Sequence, residues 1–136
     1  GPVDPAIAGH LADPRRLEAT RLQDFLWLRP LDVAALLGRR TYRVEGRMVL
    51  GVDEPDDQEV HGTWSVEVAD GAVHVERTNA PAAVTMSAAS LGAVCLGGRS
   101  VDGLARTGRI EGADTDVAMA DLMMGTARPP WCITKF

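Results

Sequence analysis

The feature that most constrains the fold is a stretch in which small or apolar residues recur at every second position. Val44–Val52 places a small or apolar residue at every second position, and Thr63–Val68 repeats the pattern. Such alternation is typical of a strand with one buried face. Asp70-Gly71 favours a two-residue turn between antiparallel strands, because glycine tolerates a positive φ. Residues 44–78 are therefore predicted to form an antiparallel meander.

Helix signals surround this meander. Val84–Met86 is expected to be the last strand. Four polar residues precede short apolar stretches: Asp32, Ser87, Ser100 and Asp114. Such side chains accept a hydrogen bond from the first helical turn, so each is predicted to be an N-cap. Strands followed by helices predict an α+β fold, in which an antiparallel sheet has helices covering one face.

Charge and hydropathy exclude several classes of partner. The net charge is -5, and no basic stripe is present, which argues against nucleic acid. The longest apolar runs, such as Val33–Leu37, are too short to span a membrane. Cys95 and Cys132 are expected to be reduced, packed thiols of a cytoplasmic protein. Because phosphate-loop, GxSxG and HExxH motifs are absent from the sequence, no metal is predicted.

The beginning of the chain predicts a domain boundary. Gly1-Pro2 is typical of the residues that remain after a protease removes an expression tag. Residues 1–16 are therefore interpreted as a tag scar and a linker from a preceding domain. Residues 17–136 are predicted to form one domain.

The end of the chain is rich in large apolar residues. Pro129-Pro130 excludes a helix there, and Trp131 and Phe136 are potential hydrophobic anchors. Composition alone favours a simple role, in which these two rings cover an apolar surface. In the alternative, docking of the segment holds the free α-carboxylate of Phe136 at a fixed point.

Two runs of residues, together with both ends of the chain, resemble a known family. Phe25–Leu36, and Leu91–Gly98 followed by Leu104-Ala105, are similar to the third domain of actinobacterial enhanced-intracellular-survival (Eis)-type GNAT acetyltransferases. Leu11–Arg15 resembles the end of that family's middle domain, and the ending through Trp131-Cys132 resembles its tail. This resemblance implies an α+β domain similar to sterol carrier protein 2 (SCP2).

The resemblance also implies a function. Two preceding GNAT domains would belong to the full-length enzyme, a homo-oligomer, and the first would bind acetyl-CoA, so this fragment alone would be inactive. The terminal carboxylate of Phe136 would serve as general base on an amine substrate. Trp27, Asp32 and Lys135 are expected to line the substrate pocket. The family's substrates include lysine side chains and aminoglycosides, the latter linking it to aminoglycoside resistance, but the charge of Lys135 disfavours polycationic amines.

An alternative function is a free-standing SCP2-like module that binds a lipid, a sterol or another small molecule without catalysis. Met119, Met123 and Met124 could line an apolar pocket for such a ligand. Their helical spacing, however, is typical of ordinary core residues.

Overall fold

The computed structural model describes residues 12–13 and 28–127 of the 136-residue chain. The elements in this part follow one another in this order: α1 (Val33–Arg39), β1 (Gly46–Asp53), β2 (Gly62–Ala69), β3 (Ala72–Arg77), β4 (Val84–Ser87), α2 (Ala88–Cys95), α3 (Val101–Ala105), β5 (Ile110–Gly112) and α4 (Asp114–Met124). The predicted domain limits, residues 1–16 and 17–136, stay predictions. Trp27, Lys135 and Phe136 lie outside the described residues.

The strands form a five-stranded sheet in the order β3-β2-β1-β4-β5. The predicted meander is confirmed, because β1 pairs antiparallel with β2 and β2 antiparallel with β3. Asp70 and Gly71 connect β2 to β3 with φ angles of 51° and 74°. These left-handed conformations at both central residues match the twist that a tight hairpin requires.

The predicted α+β class is confirmed, with two additions to the sheet. β4 pairs parallel with β1, with Leu50 opposite Val84, whereas the sequence pattern predicted an antiparallel sheet. β4 is also not the last strand, because β5 pairs antiparallel beside it. β5 escaped prediction because it has three residues, of which only Ile110 is buried.

The helices and one face of the sheet share a single hydrophobic core. Leu50 and Val66 of the central strands are fully buried in the same cluster as Leu37, Leu91 and Met123 of the helices. Outward-facing strand residues such as Arg47 and Glu67 are exposed. Burial of apolar area at about 25 cal/mol per Å² is the main stabilising contribution to such a layered fold.

The helix caps agree with the sequence in three of four positions. Asp32, Ser87 and Ser100 each accept a hydrogen bond from a backbone N–H of the first turn. The prediction for Asp114 was wrong by one residue, since Ala113 is the N-cap and has no capping side-chain bond. Asp114 lies instead inside the first turn, where a carboxylate interacts favourably with the helix dipole.

None of the helices in the described residues has the length and apolar character needed to cross a membrane.

Candidate functional site

The predicted pocket residue Asp32 has a clear local role. Its Oδ1 accepts a hydrogen bond of 2.8 Å from the backbone N–H of Ala35, and this bond fixes the start of α1. Asp32 is exposed, so one carboxylate oxygen can still face a ligand. Its predicted contact with substrate stays a prediction.

The C-terminal end of α4 is bound by the segment that connects α1 to β1. The last carbonyls of a helix have no partner within the helix and need one from elsewhere. The carbonyl of Met123 accepts from the backbone N–H of Arg43 at 3.3 Å. The carbonyl of Met124 accepts from Nη2 of Arg40 at 2.6 Å. The point at which the chain leaves α4 is therefore held by side-chain and backbone contacts.

Arg40 is itself held by two further groups. Its Nη1 donates to Sγ of Cys95 at 3.6 Å. Its guanidinium carbon lies 5.2 Å from the ring centroid of Tyr42, which is within range of a cation–π interaction. The hydroxyl of Tyr42 donates to the carbonyl of Leu37 at 2.9 Å. We call Arg40, Tyr42, Arg43 and Cys95 the tail anchor.

Burial determines the protonation of two members of the tail anchor. Desolvation raises the pKa of Tyr42 well above its ordinary value; the charge of Arg40 opposes this shift and Cys95 adds to it. Desolvation also raises the pKa of Cys95, against the charge and hydrogen bond of Arg40. Both groups are therefore neutral at physiological pH, and Arg40 supplies the positive charge beside the last carbonyl of α4.

A glycine beside the tail anchor makes room for the residues that follow α4. Gly97 follows the end of α2 with a φ of 75°, a left-handed conformation in which glycine commonly terminates a helix. A Cβ on Gly97 would lie 2.7 Å from Cγ2 of Thr126. The hydroxyl of Thr126 lies 3.5 Å from the carbonyl of Gly97, to which it donates. Residues 125–127 thus pass directly over the end of α2.

Two shallow cavities lie near these elements. One, of about 280 Å³, borders the tail anchor at Arg40 and Tyr42. The other, of about 210 Å³, lies between the start of β1 and α4, beside Met119. Both are smaller than the roughly 300–1,000 Å³ typical of sites for drug-sized ligands. Neither can enclose a ligand the size of acetyl-CoA.

The three methionines of α4 divide between core and surface. Met123 and Met124 are fully buried in the core, as their spacing indicated, whereas Met119 is 42% exposed. Among the described residues, no group of three or more His, Cys, Asp or Glu side chains is placed to hold a metal ion.

Sequence reasoning did not single out Arg40. Its contact with Met124 joins residues 84 positions apart, and no local pattern encodes such a distance. The available signal was the pair Arg39-Arg40 at the end of an apolar helix, followed by the single tyrosine of the chain.

Comparison with known proteins defines the class. Residues 33–133 match the sterol carrier protein domain family, and the chain belongs to this family. Of the longer proteins it resembles, an uncharacterized N-acetyltransferase of Streptomyces avermitilis is 36% identical over 98% of this chain and 32% of its own length. The N-acetyltransferase Eis of Mycobacterium tuberculosis is 32% identical over 85% of this chain and 28% of its own length.

A solved structure gives the same result. Eis1 of Mycobacterium abscessus superimposes with a TM-score of 0.84 at 29% identity, over 99% of this chain and 34% of that one. The predicted resemblance to the SCP2-like domain of Eis-type N-acetyltransferases is therefore confirmed. The chain spans about a third of the length of these relatives.

Proposed function

We propose that this chain is a domain of an acetyl-CoA-dependent amine N-acetyltransferase, to which it contributes the C-terminal carboxylate as general base. In this proposal, GNAT domains that precede the chain bind acetyl-CoA. The observation that carries it is the match of 98% of the chain to a relative named an N-acetyltransferase. The tail anchor supports it further, because it holds the base of the segment that ends in Phe136.

The chemical step proposed for this chain is the removal of one proton from the substrate ammonium. An α-carboxyl group has an ordinary pKa of about 3.5, so it is ionised at neutral pH. Placed within about 3 Å of a substrate ammonium, or one water away, the carboxylate of Phe136 accepts its proton and leaves a nucleophilic amine. Acetyl-CoA, when bound elsewhere in the protein, supplies the acetyl group. Trp27, Asp32 and Lys135 are proposed to line the pocket for the amine.

Covalent geometry limits where the reaction can occur. An extended chain covers at most about 3.6 Å per residue, so Phe136 lies within roughly 30 Å of Ala127. Because Thr126 is held against Gly97, this radius is measured from a fixed point on the domain. Covalent geometry alone therefore allows an amine site up to roughly 30 Å from the end of α4.

The test compares versions of the longer protein that differ only at the C-terminus. Semisynthesis with a C-terminal amide removes the charge of Phe136 and keeps every side chain. We expect kcat to fall at least about 100-fold, which is the usual contribution of a general base. Phe136→Leu is the matched control, since it keeps the carboxylate and an apolar side chain, and its kcat should remain within a few-fold. A wild-type rate for the amide would refute the proposal.

The alternative function, a free-standing lipid or sterol module, gains no support from the two cavities described above. Their volumes of about 210 and 280 Å³ are small, and Met123 is fully buried in the core. Binding of a fluorescent fatty acid by the purified chain would favour this alternative. A cytoplasmic location, a homo-oligomeric whole protein and aminoglycosides as substrates stay predictions.

A further inference from the structure

We propose that the outer edge of β3 is a self-association surface, at which β3 of a second copy of this chain adds antiparallel and joins the two sheets. The occupant follows from the backbone groups and side chains of this edge, which are complementary to themselves under a twofold rotation. The proposal is independent of the proposed catalytic role, because it uses only strands and side chains of the described residues.

The two edges of the sheet differ in how they are protected. An edge strand exposes unpaired backbone N–H and C=O groups, which proteins protect by short length, proline, lysine or a bulge. β5 is protected by its length of three residues. β3 has six residues, which pair continuously with β2 and include neither proline nor lysine. The edge at β3 is therefore the one suited to accept another strand.

The pairing of β3 with β2 determines which backbone groups point outward. The N–H of Thr78 donates to the carbonyl of Thr63 at 2.9 Å, and hydrogen-bonded pairs recur at every second residue of an antiparallel ladder. The residues at even positions of β3 therefore direct their N–H and C=O groups to β2. Those of Val73, Val75 and Arg77 point away from β2, and no hydrogen bond from another described residue reaches them.

Helix α1 contacts β3 without using these outward groups. Val75 lies opposite Val66 of β2, which is fully buried, so the side chain of Val75 faces the core. A Cβ on Gly38, near the end of α1, would lie 3.9 Å from Cγ2 of Val75. The helix thus meets β3 through side chains on the core face, and the outward backbone groups remain available to a second strand.

A twofold pairing centred on Val75 satisfies the outward groups of both copies. In this register Val75 lies opposite Val75 of the second copy, and Val73 lies opposite its Arg77. All of these residues direct their N–H and C=O groups outward, so each opposed pair can exchange two hydrogen bonds. A shift by one residue would set outward groups against residues that already bond to β2, and these bonds would be lost.

Charged side chains select this register over shifts by two residues. His74 lies opposite Glu76 of the second copy, and the symmetry repeats the pair. Both side chains are exposed, and within one copy Nε2 of His74 lies 3.6 Å from Oε2 of Glu76. Cross-strand pairs of opposite charge attract, and a neutral imidazole can also donate its N–H to a carboxylate. Shifts by two residues would oppose two copies of His74 or two copies of Glu76.

The first test follows association of the present chain by sedimentation equilibrium. Two short strands make a small interface, so we expect a weak dimer with a Kd of about 10 μM to 1 mM. Dimer formation should protect the amides of Val73, Val75 and Arg77 from hydrogen exchange, whereas those of His74 and Glu76 should be protected at every concentration. A chain that stays monomeric at about 1 mM overturns the proposal.

Exchanging the two charged residues tests the register. His74→Glu opposes two carboxylates at both symmetric positions, so we expect Kd to rise at least about tenfold. The double variant His74→Glu/Glu76→His restores both cross-strand pairs, and its Kd should return to within about threefold of wild type. The carboxylate introduced at position 74 faces Glu67 of β2 in both variants. A loss of stability within one copy is therefore shared and cannot explain a difference in Kd between them.

Val75→Pro tests the outward backbone groups directly. It removes the central outward N–H and no hydrogen bond to β2, and proline is tolerated on edge strands. We expect the dimer to be lost while the far-ultraviolet circular dichroism stays that of wild type. A dimer that persists in both His74→Glu and Val75→Pro uses another face, which overturns the proposal. A double variant that fails to recover the dimer lost in His74→Glu overturns it too. If Val75→Pro does not fold, the charge exchange and the alternating amide protection decide the question.

Discussion

Replacing Gly92 by alanine tests how closely the segment before α1 packs on α2. Gly92 is buried in the middle of α2, and a Cβ at this position would collide with the backbone carbonyl oxygen of Leu28. The same Cβ would lie 3.4 Å from Cδ2 of Leu28. A side-chain end could rotate away, but a backbone carbonyl can give way only if the whole segment moves.

Two opposing contributions set the expected size of the effect. Alanine favours a helix over glycine by about 1 kcal/mol, whereas overpacking a core typically costs about 1–3 kcal/mol. The collision with backbone places Gly92→Ala at the upper end of that cost, so we expect a net loss of about 1–2 kcal/mol in the free energy of unfolding. For a domain of this size that lowers Tm by roughly 4–8 °C.

Urea unfolding followed by tryptophan fluorescence measures this loss, with the midpoint lowered and the slope unchanged. Gly98→Ala is the control, because among the described residues, its two chain neighbours aside, no atom lies within 4 Å of the added Cβ. Its stability should stay within about 0.5 kcal/mol of wild type. A Gly92→Ala protein more stable than wild type would refute the close packing of Leu28 on α2.

Two further changes test local interactions. Asp32→Ala should lower the free energy of unfolding by about 1 kcal/mol through loss of the α1 cap. Asp32→Asn, which keeps a capping side chain, should restore most of this loss in the same urea assay. Equal stability of the wild type and both variants would contradict the capping role. Tyr42, the single tyrosine, should form its phenolate by ultraviolet absorbance only above the ordinary pKa of 10.0. Because its folded pKa is raised, the stability it contributes is present below pH 10.0 and falls as pH rises further; an equally steep fall in Tyr42→Phe would show that other groups cause it.

The sequence predicted the parts of the fold that local chemistry determines. Alternation in Val44–Val52 and Thr63–Val68 identified β1 and β2 because a half-buried strand needs that period. Asp70-Gly71 identified the hairpin because a two-residue turn determines how β2 pairs with β3. Strand limits were less accurate, since β1 begins at Gly46 rather than Val44.

Non-local pairing was beyond the same reasoning. The parallel contact of β1 with β4 joins Leu50 to Val84, and the sequence between them contains two other strands. β5 has a single buried side chain, Ile110, so no period can be measured. Asp114 is of a residue type that commonly caps helices, but the N-cap of α4 is the preceding residue, Ala113. The strands and the cap that were predicted incorrectly are those whose positions depend on tertiary contacts and not on the local sequence.

In the candidate site, too, local contacts could be predicted from the sequence and long-range contacts could not. The role of Asp32 as a cap was readable because its partner, Ala35, is three residues away. The role of Arg40 was not, because its partner Met124 becomes a neighbour only once the sheet has brought α1 and α4 together. The end of α4 is thus held by a hydrogen bond between residues 84 positions apart, which no local sequence pattern could predict.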